Sequence, residues 1–85
     1  NMVRDTSLLA WVDLQPVLGE KQLRVYETLK SLRAATNMEV ASVLGWSINR
    51  VTPRMLELRV GGLVVAGGVR ECKVTGRMVH EWRIR

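Results

Sequence analysis

Two sets of residues in this chain carry side chains that could do chemistry. Cys72 and His80 are the only cysteine and the only histidine. On facing strands they would offer a nucleophile with its base, or half of a metal site. No third or fourth ligand accompanies them, and Glu71 and Glu81 are the only carboxylates nearby, so the pair reads as structural and partly buried. The other carboxylates are scattered, which gives no pairing for acid-base work. Gly61-Gly62 and Gly67-Gly68 lack the lysine and serine of a phosphate-binding loop. The expectation is a protein that is not an enzyme and takes no metal or cofactor. The second set is Asn49, Arg50, Thr52 and Arg54, which bring amide, guanidinium and hydroxyl groups to one short stretch. These are the groups that meet base edges in a major groove, Asn suiting adenine and Arg suiting guanine.

The charge distribution points the same way. The net charge is +5 over 85 residues. Through Gly45, Arg4, Lys21, Arg24, Lys30 and Arg33 cancel Asp5, Asp13, Glu20, Glu27 and Glu39. From Trp46 onward, Arg50, Arg54, Arg59, Arg70, Lys73, Arg77, Arg83 and Arg85 face only Glu57, Glu71 and Glu81, so the whole excess lies in the second half. Such asymmetry produces a one-sided field that attracts a polyanion. Arginine outnumbers lysine ten to three, and guanidinium suits bidentate contacts to phosphate and guanine.

The elements that must position these groups can be read in order. Met2 reads as the natural start, with Asn1 an added residue. Asp5, Thr6 or Ser7 could cap a short helix carrying Leu8, Leu9, Trp11 and Val12, and Pro16 should end it. This arm either packs over the core or forms a homodimer contact through Leu8, Trp11 and Val12. From Glu20 to about Ala34, Leu23, Tyr26, Leu29 and Leu32, with Val25 alongside, mark an amphipathic helix entered at Gly19. Thr36 and Glu39 have capping-box spacing ahead of a short helix that stops at Gly45. After Trp46, Ser47 caps a third helix in which Ile48, Val51, Met55, Leu58 and Gly62 face the core. Pro53 lies inside that helix, which we expect to run on as one piece, loosened near Asn49. Two helices joined by this tight turn make a helix-turn-helix.

Beyond Leu63 the pattern turns strand-like. A three-residue loop, Thr75 to Arg77, would pair Val74 with Met78 and Cys72 with His80, placing Trp82 and Ile84 on the same face as those partners. A hairpin after a helix-turn-helix is a wing. The expected fold is α+β, mostly α: a three-helix helix-turn-helix core, a C-terminal β-hairpin wing and a short N-terminal helix. Residues 2–18 would form the arm and 19–85 the domain.

With Glu39-Val40-Ala41 and Leu44-Gly45 on the second helix, Ser47, Val51, Met55 and Leu58 on the third, and Gly62-Leu63-Val64 leading to the hairpin, residues 20 to 85 resemble winged helix-turn-helix DNA-binding domains. They are similar to MarR-type regulators and to small phage-encoded winged-helix proteins, from whose pattern Pro53 departs. The expectation is a small transcriptional regulator that binds double-stranded DNA, of phage or mobile-element type. Asn49, Arg50 and Arg54 would face bases. Ser47, Thr52, Thr36 and Asn37 would meet phosphates, and Arg70, Lys73 and Arg77 on the wing would meet backbone or minor groove. The alternative is a winged helix used for protein contact through Trp11, Trp46 and the hairpin. No apolar run reaches the length of a membrane span and no basic leader precedes one, so a soluble, cytoplasmic protein is expected.

Overall fold

The computed structural model describes residues 18–85. The expected N-terminal helix and the dimer contact through Leu8, Trp11 and Val12 lie outside the described residues. The order of elements is α1 (Glu20–Leu32), β1 (Ala34–Ala35), α2 (Asn37–Leu44), α3 (Ile48–Val60), β2 (Val64–Glu71) and β3 (Met78–Ile84). About half of the described residues are helical, and the sheet is antiparallel in the order β1-β3-β2. The domain is therefore α+β, with helix and sheet more evenly shared than expected. Three helices with a three-stranded antiparallel sheet are compatible with a winged-helix arrangement.

The helices are held by the local signals in their sequences. At α1, the Gln22 side chain accepts from the Gly19 amide at 2.8 Å, half of a capping box. At α2 the box is complete: Thr36 Oγ1 accepts from the Glu39 amide at 3.2 Å, and Glu39 Oε1 accepts from the Thr36 amide at 3.1 Å. Gly45 ends α2 at φ 71°, a left-handed conformation that glycine adopts without a Cβ penalty. Its amide donates to Ser42 O, and the Trp46 amide reaches back to Ala41 O at 3.0 Å. That pair of bonds satisfies the last carbonyls and turns the chain into α3. The same pair closes α3, from Gly62 to Arg59 and from Leu63 to Leu58. Gly62 is thus a terminator rather than a member of the buried stripe. Pro53 stays within one continuous helix and leaves the Asn49 carbonyl without an i+4 donor.

The core is one cluster: Val25 and Leu29 of α1, Val40 and Ala41 of α2, Val51, Met55 and Leu58 of α3, with Ala35 and Val64 from the sheet. Trp82 and Ile84 of β3 pack against it. Each large side chain removed from water contributes about 1.5–3 kcal/mol against the entropy of ordering the chain. In α1 the buried stripe is narrower than the periodicity implied, since Leu23 and Leu32 are exposed. The helix also stops earlier. Arg33 takes φ 71°, and Ala34-Ala35 pair with Arg83 and Trp82 as a short strand where the expected helix ran on to about Ala34.

The hairpin register differs from expectation by three residues. Glu71 pairs with Met78, Arg70 with Val79 and Val69 with His80, so the connection runs from Cys72 to Arg77. The cause is tertiary: Cys72 is drawn into the interior and the Lys73 amide donates to Glu39 Oε2 at 2.9 Å, which peels the chain off the ladder. The loop closes on itself through Cys72 N–H to Arg77 O and Gly76 N–H to Cys72 O, both 2.8 Å. Farther along, Ala66 faces Trp82 and Val69 faces His80, so Gly67-Gly68 stand opposite Glu81 as a bulge.

Candidate nucleic-acid interface

The buried stripe of α3 fixes what the helix presents outward. Asn49, Pro53, Leu56 and Val60 fall at i, i+4, i+7 and i+11, one exposed ridge opposite Val51, Met55 and Leu58. Leu56 is 54% and Val60 80% exposed. On one flank of the ridge, Thr52 and Arg59 face the hairpin, and the Arg59 guanidinium lies 5.3 Å from the centre of the Trp82 ring. On the other flank, the Arg50 guanidinium lies over Trp46 at 4.7 Å. Both stacks hold a flexible cation in place by attraction to the ring face. A groove of about 660 Å3 separates α3 from the hairpin, with Asn37, Ile48 and Thr52 on one wall and Arg77, His80 and Trp82 on the other.

The expected contact residues divide into two groups. Ser47 just before α3, Asn49, Arg50 and Thr52 on it, and Lys73 and Arg77 on the hairpin loop, are exposed. Asn37 lies at the groove edge, half-buried, with its side-chain oxygen enclosed and without a hydrogen-bond partner among the described residues. Three residues are placed differently from expectation. Thr36 is 1% exposed, and its hydroxyl is occupied by the α2 cap and by Cys72 Sγ at 3.1 Å, so it cannot meet a phosphate. Arg70 turns inward. Its Nη2 lies 2.7 Å from Glu39 Oε1 and its Nε 2.7 Å from Glu81 Oε1, with further bonds from Nη1 to Glu39 Oε2 and Glu71 O. Arg54 is paired with Glu57 at 2.9 Å beside the start of α1, away from the hairpin.

Glu39 is the hub of this arrangement. One carboxylate caps α2, binds Arg70 through both oxygens and receives the Lys73 amide. Arg70 holds its carboxyl down at about 2 rather than 4.5, against the opposing effect of burial, and the Lys73 and Thr36 amides add to the lowering. The Arg70 guanidinium is correspondingly driven further up by Glu39 and Glu81. The loop is thereby fastened to the start of α2. Cys72 belongs to the same junction: burial pushes its thiol up, and hydrogen bonds from Thr36, Thr75 and Val74 more than offset this and hold it at about 7. It does not face His80, which pairs with Val69 and is exposed.

Sequence reasoning missed the Glu39–Arg70–Glu81 junction and both cation stacks, because their members lie far apart along the chain or across a turn. It also missed the apolar ridge, although the spacing of Leu56 and Val60 from Asn49 carried the signal. No protein-family model and no curated protein matches the chain. No helix among the described residues is long and apolar enough to cross a membrane.

Proposed function

We propose that this domain is a small transcriptional regulator of winged-helix type that binds double-stranded DNA, with α3 entering the major groove and the hairpin acting as a basic wing. The observation that carries the reading is the way charge is partitioned. Of the acids near this surface, Glu39 and Glu81 are taken up by Arg70 and Glu57 by Arg54, and among the described residues Glu71 stays exposed outside any ion pair. Among the described residues, Arg50, Arg59, Lys73 and Arg77 form no ion pair; Arg50 and Arg59 flank the ridge of α3, Arg77 lines the groove on the hairpin side, and Lys73 is exposed on the hairpin loop. Cations outside ion pairs are what counterion release from a duplex requires. In this reading Asn49 and Thr52 face the groove floor, Ser47 and Arg50 lie on one phosphate strand, and Lys73 and Arg77 lie on the other. Asn37 sits at the margin, while Thr36 and Arg70 serve the scaffold.

Fluorescence anisotropy with a labelled duplex at two salt concentrations tests it. Four to five neutralised phosphates give a logarithmic salt slope of about −4, and absence of measurable binding at low salt would sink the proposal. A second reading, a winged helix used for protein contact, is favoured by one feature, the exposure of Leu56 and Val60.

A further inference from the structure

Resting on the DNA reading, we infer that the ridge of α3 reads thymine methyl groups, so that the target is an A·T-rich duplex rather than one selected through guanine. The groups best suited to guanine lie off the ridge. Arg54 is tied to Glu57, and Arg50 and Arg59 stack on Trp46 and Trp82 along its flanks. What α3 turns outward is one amide followed by apolar surface: Asn49, then Pro53, Leu56 and Val60, with the Thr52 methyl and hydroxyl beside them.

In a major groove the C5-methyl of thymine is the one apolar group on a base edge, and adenine offers the N6/N7 pair that an Asn amide matches. A ridge running from residue 49 to 60 is about 16 Å long, the length of roughly five base-pair steps. An apolar ridge of that length could also fit an apolar groove on a protein. Its surroundings favour the duplex: Arg50 and Arg59 flank it, Arg77 stands across the groove, and Glu57, the one acid of α3, is neutralised by Arg54 and also bound by Gln22. Cations on both sides of an apolar strip match phosphates on both sides of a methyl-lined groove.

The experiment uses the full chain and four labelled hairpin duplexes: alternating A·T, the same sequence with deoxyuridine for thymidine, alternating G·C, and that sequence with 5-methylcytosine. Losing one buried methyl is worth about fourfold in affinity, so the A·T duplex should bind at least fivefold tighter than its uridine counterpart. The 5-methylcytosine duplex should regain part of that difference over G·C. Leu56→Ser, a change at an exposed position, should bring the thymidine-to-uridine ratio close to one. Equal affinity of the wild type for thymidine and uridine duplexes would overturn the inference and leave DNA binding standing. A ratio that persists in Leu56→Ser would assign the preference to duplex shape and also overturn it. Failure to bind any of the four would remove the DNA reading itself and leave the ridge to a protein partner.

Discussion

Replacing Glu39 with glutamine should destabilise the domain in a pH-dependent way that no other single surface carboxylate would reproduce. The wild-type carboxylate accepts from Arg70 Nη1 and Nη2 at 2.8 and 2.7 Å, from the Lys73 amide at 2.9 Å and from the Thr36 amide at 3.1 Å. Glutamine keeps one acceptor oxygen, loses the charge and turns an NH2 group toward donors. Hydrogen bonds to charged groups contribute about 1.5–3 kcal/mol, and Arg70, itself 31% exposed, keeps Glu81 as a partner. The expected loss is therefore about 2 kcal/mol. A carboxyl held at about 2 instead of 4.5 sets a ceiling of about 3 kcal/mol at neutral pH. In a domain of this size, 2 kcal/mol lowers Tm by about 8–16 °C. Because the folded-state value is depressed, the stabilisation is complete above pH 4.5 and is lost as pH falls through about 2. Urea titrations followed by circular dichroism should show a full gap between wild type and variant at pH 7. The gap should narrow below pH 4.5 and nearly close at pH 2. A gap that stays constant from pH 7 to 2, or one below about 0.5 kcal/mol at pH 7, as for an ordinary surface pair, would refute the assignment of Glu39 as the hub.

Arg77→Ala should weaken binding to all duplexes alike and lower the salt slope by about one, because a loop cation meeting a phosphate carries no sequence information; anisotropy at several salt concentrations measures both. Arg54→Ala, at the position the sequence alone would assign to a base, should leave the preferred site unchanged in a selection experiment, since its guanidinium is held by Glu57 at 2.9 Å. Gly67→Ala places a Cβ 2.8 Å from Glu81 Cγ, where the Glu81 carboxylate is fixed by Arg70. The strain should cost about 1–3 kcal/mol in urea unfolding, and Gly68→Ala, with open space at its Cβ, should cost less.

The helical part of this fold was legible because its signals are local. The Thr36/Glu39 box, the Gly45 terminator and the Ser47 start are each written within a few residues, and all three stand where the spacing put them, although the Ser47 side chain makes no capping hydrogen bond among the described residues. The sheet was legible only in part. A two-residue strand leaves no periodic trace, so Ala34-Ala35 could not be separated from the helix before them. The hairpin register was misplaced because the residues that decide it are not in the hairpin. Thr36 draws in Cys72 and Glu39 holds the Lys73 amide, over sequence separations of 36 and 34, and local turn chemistry contains neither contact.

The candidate surface failed and succeeded for a related reason. Pairing could not be read from the sequence, so Arg70 and Arg54 counted as free cations, although one is committed to Glu39 and Glu81 and the other to Glu57. Each ion pair, however, removes one positive and one negative charge together, and the excess of a region survives any pattern of pairing within it. Eight cations from Trp46 onward against the three acids there and Glu39, which Arg70 draws in from the first half, still leave an excess of four positive charges. The sign of the field was therefore fixed by counting, whereas its bearers were decided by packing: Trp46 and Trp82 hold Arg50 and Arg59 beside the ridge, and the Glu39 junction fastens the loop that carries Lys73 and Arg77. That division is why the proposed binding rests on the field and the unpaired cations, and the proposed specificity on Asn49, Thr52 and Leu56, which the fold turns outward for reasons independent of charge.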